Sequence, residues 1–206
     1  MSITTDAQPA PDASARQADA LDRADMEKLQ AGHDAALNDL MDRHATTVFH
    51  FLCRMVNNED DANDLAQETF VRVFKSRDSF RMEQKFSTWL FTIAANLARN
   101  HFRWRGRHPN ISLDAENPET EQSLGSTLPA NSPAPNEEAL ATERAQAVRV
   151  AVEKLPEDLR EAIVLCEWED RSVTEAATIL EASPKAVESR LYRGRQILRE
   201  QLKSWL

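Results

Sequence analysis

Glycine is scarce in this chain, with only four among 206 residues. Glycine-rich phosphate loops and strand-to-helix nucleophile elbows both need glycine at fixed spacing, and neither pattern occurs. Strand-like alternation is also missing, and aromatic residues make up just 6% of the chain. Recurrent amphipathic stretches point instead to an all-helical fold class, all-α, built as two small domains. No stretch is long and apolar enough to span a bilayer, and MSITTDAQPAPDASARQADALDR has no signal-peptide core. The expectation is a cytoplasmic protein with no membrane insertion. There are only two cysteines, Cys53 and Cys166. Neither has a second Cys at ligand spacing, and His50 with Cys53 on one helix face does not complete a zinc site. They read as small apolar groups in a reducing compartment. His33, His44, His50, His101 and His108 show no partner set for catalysis. The sequence predicts no metal, no cofactor and no enzyme.

The formal net charge is −9, which on average argues against nucleic acid. The charge is segregated, however. Arg99, Arg103, Arg105 and Arg107 form a basic run without an intervening acid. Lys185, Arg190, Arg193, Arg195, Arg199 and Lys203 form a second basic set near the C-terminus. Acids gather in the N-terminal tail, around 59–68, and in the middle of the chain. Phosphate responds to the local field, so segment charge outweighs the total.

Composition divides the chain into four parts. Residues 1–33, rich in Ala, Asp, Gln and Pro, read as a disordered extension, with helix allowed after Ala18. Residues 34–107 carry three helical stripes. The first spans about 34–56 and places Leu37, Leu40, Met41, Val48, Leu52, Met55 and Val56 on one face. The second spans about 60–76, with Ala62, Leu65, Ala66, Thr69, Phe70 and Val73. The third spans about 86–105, with Phe86, Trp89, Leu90, Ile93, Ala94 and Leu97. Residues 108–136 are dense in Pro, Asn, Ser and Glu, contain no Lys or Arg, and read as a flexible acidic linker. Residues 137–206 hold helices at about 138–154, to Trp168 after Leu155-Pro156, at 173–180 and at 184–202. Ser183 is the natural cap before Pro184.

Three segments carry functional signals. SVTEAATIL followed by SPKAVESRLYRGRQIL has the layout of a helix-turn-helix, with small Ala176 and Ala177 permitting close crossing. Val187, Leu191 and Leu198 turn inward. Glu188, Ser189, Tyr192 and Arg193 share the other face, a mixture suited to base edges in a major groove. Lys185, Arg190 and Arg195 suit phosphates. The plainer alternative is a surface helix with charge pairs. FSTWLFTIAANLARNHFRWRGRH passes from an apolar helix into a cationic end interleaved with Phe102 and Trp104. Arginine offers charge to phosphates and the rings offer stacking faces to unpaired bases. Its alternative is a helix end enriched in Arg to match the dipole. In DDANDLAQETFVRVFKS, the residues Asp64, Gln67, Glu68, Val71 and Arg72 point outward. They form either a protein-docking face or a solvated acidic helix start.

Together these segments resemble the sigma-70 family, specifically the extracytoplasmic-function (ECF) sigma factors, over residues 34–206. DLAQETFVRVF resembles the helix that binds the polymerase clamp. FSTWLFTIAANLARNHFR resembles the promoter-melting and minus-10 recognition helix. LPEDLREAIVL, SVTEAATIL and SPKAVESRLYRGRQIL resemble the minus-35 recognition domain. The resemblance implies region 2 at 34–107 and region 4 at 137–206. It implies core polymerase contacts through Asp64, Gln67, Glu68, Val71 and Arg72. Minus-10 contacts are implied for Lys85, Asn96, Arg99, Asn100, Arg103, Trp104 and Arg105, with a base captured near the loop from Arg77 to Lys85. Minus-35 contacts are implied for Arg171, Lys185, Glu188, Ser189, Arg190, Tyr192 and Arg193. The implied partners are core RNA polymerase, at its beta-prime clamp and beta flap, promoter DNA, and an anti-sigma factor. Glu181 stands in the turn where many relatives carry Gly, Ala186 where many carry Thr, Glu188 where many carry Lys or Arg, and Asn100 where relatives often carry Asp. Two other readings remain: a one-component helix-turn-helix regulator with a ligand pocket in residues 34–107, and a sigma mimic that titrates an anti-sigma protein.

Overall fold

A computed structural model describes residues 13–108 and 135–205 of the chain. The expected acidic linker falls almost wholly outside them. Every regular element among the described residues is helical. The helices are α1 (Ala13–Gln30), α2 (Ala36–Val56), α3 (Glu59–Lys75), α4 (Phe86–Arg107), α5 (Pro135–Glu153), α6 (Glu157–Glu167), α7 (Val173–Ile179) and α8 (Pro184–Gln201). Two short 3-10 turns, Arg77–Ser79 and Lys203–Trp205, complete the set.

Local chemistry sets the boundaries. Asn57 ends α2 in the left-handed region at φ 50°, and the next residue, Asn58, caps α3 by accepting from the Asp61 N–H. Asn tolerates this geometry better than most side chains. Ser172 and Glu175 form a reciprocal capping box on α7. Ser183 accepts from the Ala186 N–H and Pro184 opens α8. Pro156 sits one place earlier than a first-turn position, capping α6 rather than entering it.

In the first block α2, α3 and α4 enclose Phe51, Leu52, Met55, Val73, Leu90 and Phe91, all with 0% exposure. Phe51 and Phe91 meet edge-on at 5.2 Å between ring centres, the arrangement favoured by ring quadrupoles. The second block packs α8 against α6 and α7. Gly194 permits the closest approach, because a Cβ there would lie 2.7 Å from Ile163 Cγ1.

Within the expected disordered extension, the described residues from 13 onward form α1, a helix that starts before Ala18 and docks on the first block. Asp22, Asp25, Met26 and Leu29 lie at i, i+3, i+4 and i+7 spacing, and all four are buried. Half of that stripe is acidic, which a hydrophobic pattern misses. The carboxylates are paired instead. Arg43 Nε donates to Asp22 at 2.9 Å and Arg43 Nη2 to Asp25 at 2.7 Å, while His44 Nε2 lies 2.8 Å from Asp22. Burial works against the Asp25 anion, but hydrogen bonds from Lys28 and Arg43 outweigh it and hold the carboxyl below its usual range.

The blocks also pack on each other. Arg160 of α6 donates to Met55 O of α2 at 2.6 Å, and to the carbonyls of Glu153 and Leu155. It therefore closes the exposed carbonyl end of α2 with a residue from the other block. Arg54 of α2 reaches Glu169 at 3.2 Å.

Candidate polymerase and promoter interfaces

The outer face of α3 is the simplest of the three surfaces. Asp64, Gln67, Val71 and Arg72 are exposed and Glu68 is half-buried. Val71 retains 41% exposure, an apolar side chain left uncovered amid polar ones. Glu68 accepts from Arg72 Nε at 2.9 Å, one turn apart on the same face. The inward stripe of Ala62, Ala66, Thr69, Phe70 and Val73 fixes this orientation.

The second surface is the C-terminal half of α4. Asn96, Arg99, Asn100 and Arg103 recur at three- and four-residue spacing. Asn100 Oδ1 accepts from Arg103 Nη2 at 2.5 Å. Trp104 is 51% exposed, with its ring stacked on His108 at 5.1 Å and 24°. Arg105 turns toward α3, 3.5 Å from Asp61. Lys85 does not join this group. It precedes α4 and lies fourteen positions before Arg99, roughly 20 Å at helical rise.

Two of these cations are already engaged by the second block. Lys85 Nζ donates to Glu175 of α7 at 2.8 Å. Burial raises the Glu175 carboxyl, but the bonds from Lys85 and Ser172 outweigh it and hold it low. Arg99 lies 3.2 Å from Glu161 of α6, and its Nη2 donates weakly to Ile179 O at 3.4 Å. The Arg99–Glu161 approach is an ion pair without hydrogen-bond alignment, so Glu161 Oε1 has no donor aimed at it. Burial pushes the Glu161 carboxyl up to about 7, against the pull of Arg99 and Arg190. A hollow of about 650 Å³ opens beside this pair, lined by both arginines and by Arg160.

The third surface is α8. Val187 and Leu191 are buried beneath it. Lys185, Glu188, Ser189, Tyr192 and Arg193 are all exposed, Tyr192 to 65%. None of the five side chains carries a hydrogen bond or ion pair among the described residues. Arg190 is half-buried and lies 3.7 Å from Asp158. Arg195 pairs with Glu167 at 2.5 Å. Arg171 stands apart from α8. It donates to Ser87 Oγ at 3.0 Å and stacks over Phe91 at 4.6 Å, against the first block. Burial draws its guanidinium below the usual range.

The residues that sequence reasoning missed are those joining the blocks: Arg54, Arg160, Glu161, Glu169 and Glu175. They sit in ordinary charge patterns, and only their partners from the other block mark them out. The two thiols lie apart, unpaired and half-buried. Burial pushes the Cys166 thiol up to about 11 and also raises Cys53. Neither is a ready thiolate. Among the described residues no helix is long and apolar enough to cross a membrane.

Comparison with known proteins agrees with this geometry. The Sigma-70 region 2 family matches residues 40–108, which hold α3 and α4. The Sigma-70, region 4 family matches residues 145–198, which hold the helix pair ending in α8. The chain is 34% identical over 179 residues to the ECF RNA polymerase sigma factor SigW of Bacillus subtilis, covering 86% of this chain and 95% of that one. It is 35% identical over 182 residues to the ECF RNA polymerase sigma-E factor of Haemophilus influenzae, covering 88% and 95%. Among solved structures it is similar to CnrH in complex with the cytosolic domain of CnrY, at 28% identity and TM-score 0.66, over 89% and 98% of the two chains. It is also similar to the sigma factor RpoE in complex with the anti-sigma factor NepR from Bartonella quintana, at 28% identity and TM-score 0.62, over 82% and 98%. Three surfaces in this order, two matching regions and relatives alike along nearly their whole length lead to one statement: the chain belongs to the sigma-70 family, as an RNA polymerase sigma factor of the ECF group.

Proposed function

We propose that this chain binds core RNA polymerase in the cytoplasm and directs initiation at promoters by a division of labour among its three surfaces. The outer face of α3 docks on the polymerase clamp, with Val71 as the apolar centre and Asp64, Gln67, Glu68 and Arg72 around it. The end of α4 lies along the minus-10 element, where Asn96, Asn100 and Arg103 meet the strand and Trp104 offers a stacking face. The loop from Arg77 to Lys85 takes an unpaired base. Helix α8 enters the minus-35 major groove, with Glu188, Ser189, Tyr192 and Arg193 at base edges and Lys185 at phosphate. Arg99, Lys85 and Arg171 become available only when the blocks exchange their present partners. The chain performs no chemistry. Trapping extruded bases offsets a few kcal/mol of unstacking, and bond formation belongs to the polymerase. An anti-sigma protein is the expected regulator, in keeping with the complexes named for the similar structures.

One observation carries this reading. The exposed face of α8 presents Lys185, Glu188, Ser189, Tyr192 and Arg193 with no partner among the described residues, on a helix otherwise anchored by Val187 and Leu191. The test is run-off transcription with purified core polymerase, this chain and a genomic promoter library. Arg193→Ala is expected to weaken minus-35-dependent promoters by roughly 5- to 100-fold, with core affinity unchanged. Lost core affinity in that variant contradicts the division of labour.

A further inference from the structure

Gln30, the last residue of α1, makes a contact that nothing in its own helix requires. Its Nε2 lies 2.7 Å from Arg77 O and 3.0 Å from Phe80 O, across 47 and 50 residues of chain. A primary amide has two N–H donors, one for each carbonyl. Two carbonyl oxygens facing one side chain leave no choice of amide orientation, since an oxygen there would meet only acceptors. The two carbonyls bracket the 3-10 turn Arg77–Ser79, which opens the loop leading into α4.

We propose that Gln30 is a positioning residue for base capture, fixing the entry of the 77–85 loop to a docked α1. The inference rests on the reading above that this loop receives an unpaired base. Beyond the turn, Phe80 is buried and packs on Trp89 and Phe86 at 5.1 and 6.1 Å between centroids. From there Arg81, Glu83 and Lys85 are exposed. The far end is held as well: Lys85 bonds to Glu175 and lies 3.9 Å from Asp19, also on α1. Helix α1 thus reaches both ends of the loop. Its own seat is firm, because Met26 and Leu29 are fully buried and Asp22 and Asp25 are paired to Arg43. Gly32, at φ +89°, turns the chain away immediately afterwards and leaves Gln30 at the helix end. A loop that must receive one base needs a fixed entry, and a misplacement of about 1 Å is enough to lose selectivity.

The test uses the full chain with core polymerase and a promoter series altered one position at a time along the minus-10 non-template strand. Gln30→Met keeps length and removes both donors. Gln30→Glu keeps shape and turns an anion toward two carbonyls. Both are expected to cut the base preference at one position about tenfold, the effect of two lost neutral hydrogen bonds. Preferences elsewhere, minus-35 dependence and core affinity are expected to hold. Gln30→Lys restores a donor and should recover part of the lost preference. A uniform drop at all promoters, or an unchanged preference, overturns the assignment, and so does a Lys variant no better than Met. If the wild-type chain initiates nowhere, the proposed function fails first, a result distinct from any variant effect.

Discussion

Two alanine substitutions of the same chemistry should act in opposite directions. At Gly194 in α8, a Cβ would lie 2.7 Å from Ile163 Cγ1, 3.1 Å from Ile163 Cδ1 and 3.8 Å from Leu159 Cβ. Ile163 is fully buried, and its branched Cβ leaves it few rotamers to retreat into. Overpacking of this kind costs about 1–3 kcal/mol. Replacing a helical glycine by alanine returns about 1 kcal/mol in propensity. The net for Gly194→Ala is then a loss of up to about 2 kcal/mol. At Gly106, near the end of α4, the same Cβ meets nothing within 4 Å. Gly106→Ala should therefore gain up to about 0.5 kcal/mol, less than a mid-helix site because the terminus frays. Urea denaturation followed by circular dichroism measures both. With a slope of about 2 kcal/mol/M, Gly194→Ala should lower the midpoint by up to roughly 1 M at unchanged slope. Hydrogen exchange should localise the loss to α6 and α8. A Gly194→Ala midpoint at or above wild type would refute the claim that the glycine exists to let these helices touch.

Two further outcomes follow from the charges and turns. Glu161 has a folded pKa of about 7 against an ordinary 4.5, raised by burial, so the folded chain holds a proton that the unfolded chain releases between those values. The contribution of Glu161 to stability is then greatest below about pH 4.5, falls as pH rises toward 7 by up to roughly 1.4 kcal/mol per pH unit, and levels above. Glu161→Gln should flatten this decline in denaturation midpoints measured from pH 5 to 8. Glu181, at φ 51° in the turn between α7 and α8, adopts the left-handed region without glycine's freedom. Glu181→Gly should raise the melting temperature by a few degrees, equivalent to about 1 kcal/mol, and an unchanged value would show the turn to be unstrained.

Most of the helical scaffold was readable from apolar periodicity. Leu40, Val48, Leu52, Met55 and Val56 are buried in α2, and Phe86, Leu90, Ala94 and Leu97 in α4, as their spacing requires. The capping Ser183 was readable because its side chain has a local geometric effect. Helix α1 was allowed by the sequence only after Ala18, and its docking was not readable, since its stripe replaces two apolar positions with Asp22 and Asp25. Their partners, Arg43 and His44, lie about twenty residues away and on another helix. Arg171 shows the same limit in the candidate site. The resemblance implies a minus-35 contact for it, and no local pattern signals that its guanidinium sits over Phe91 of the first block. Pairings across the blocks depend on where two separately folded surfaces meet, and no local pattern encodes that.

The contacts of Lys85, Arg99 and Arg171 also bear on ionic strength. A guanidinium or ammonium held by a partner within the chain meets no phosphate and so releases no counter-ion from DNA. Each cation that meets a phosphate adds about 0.9 to the slope of log affinity against log salt. With these three still bound to Glu175, Glu161 and Ser87, the slope would be shallower by up to about 2.7 than with all three transferred to the duplex. A salt titration of promoter binding therefore counts how many of the three have changed hands.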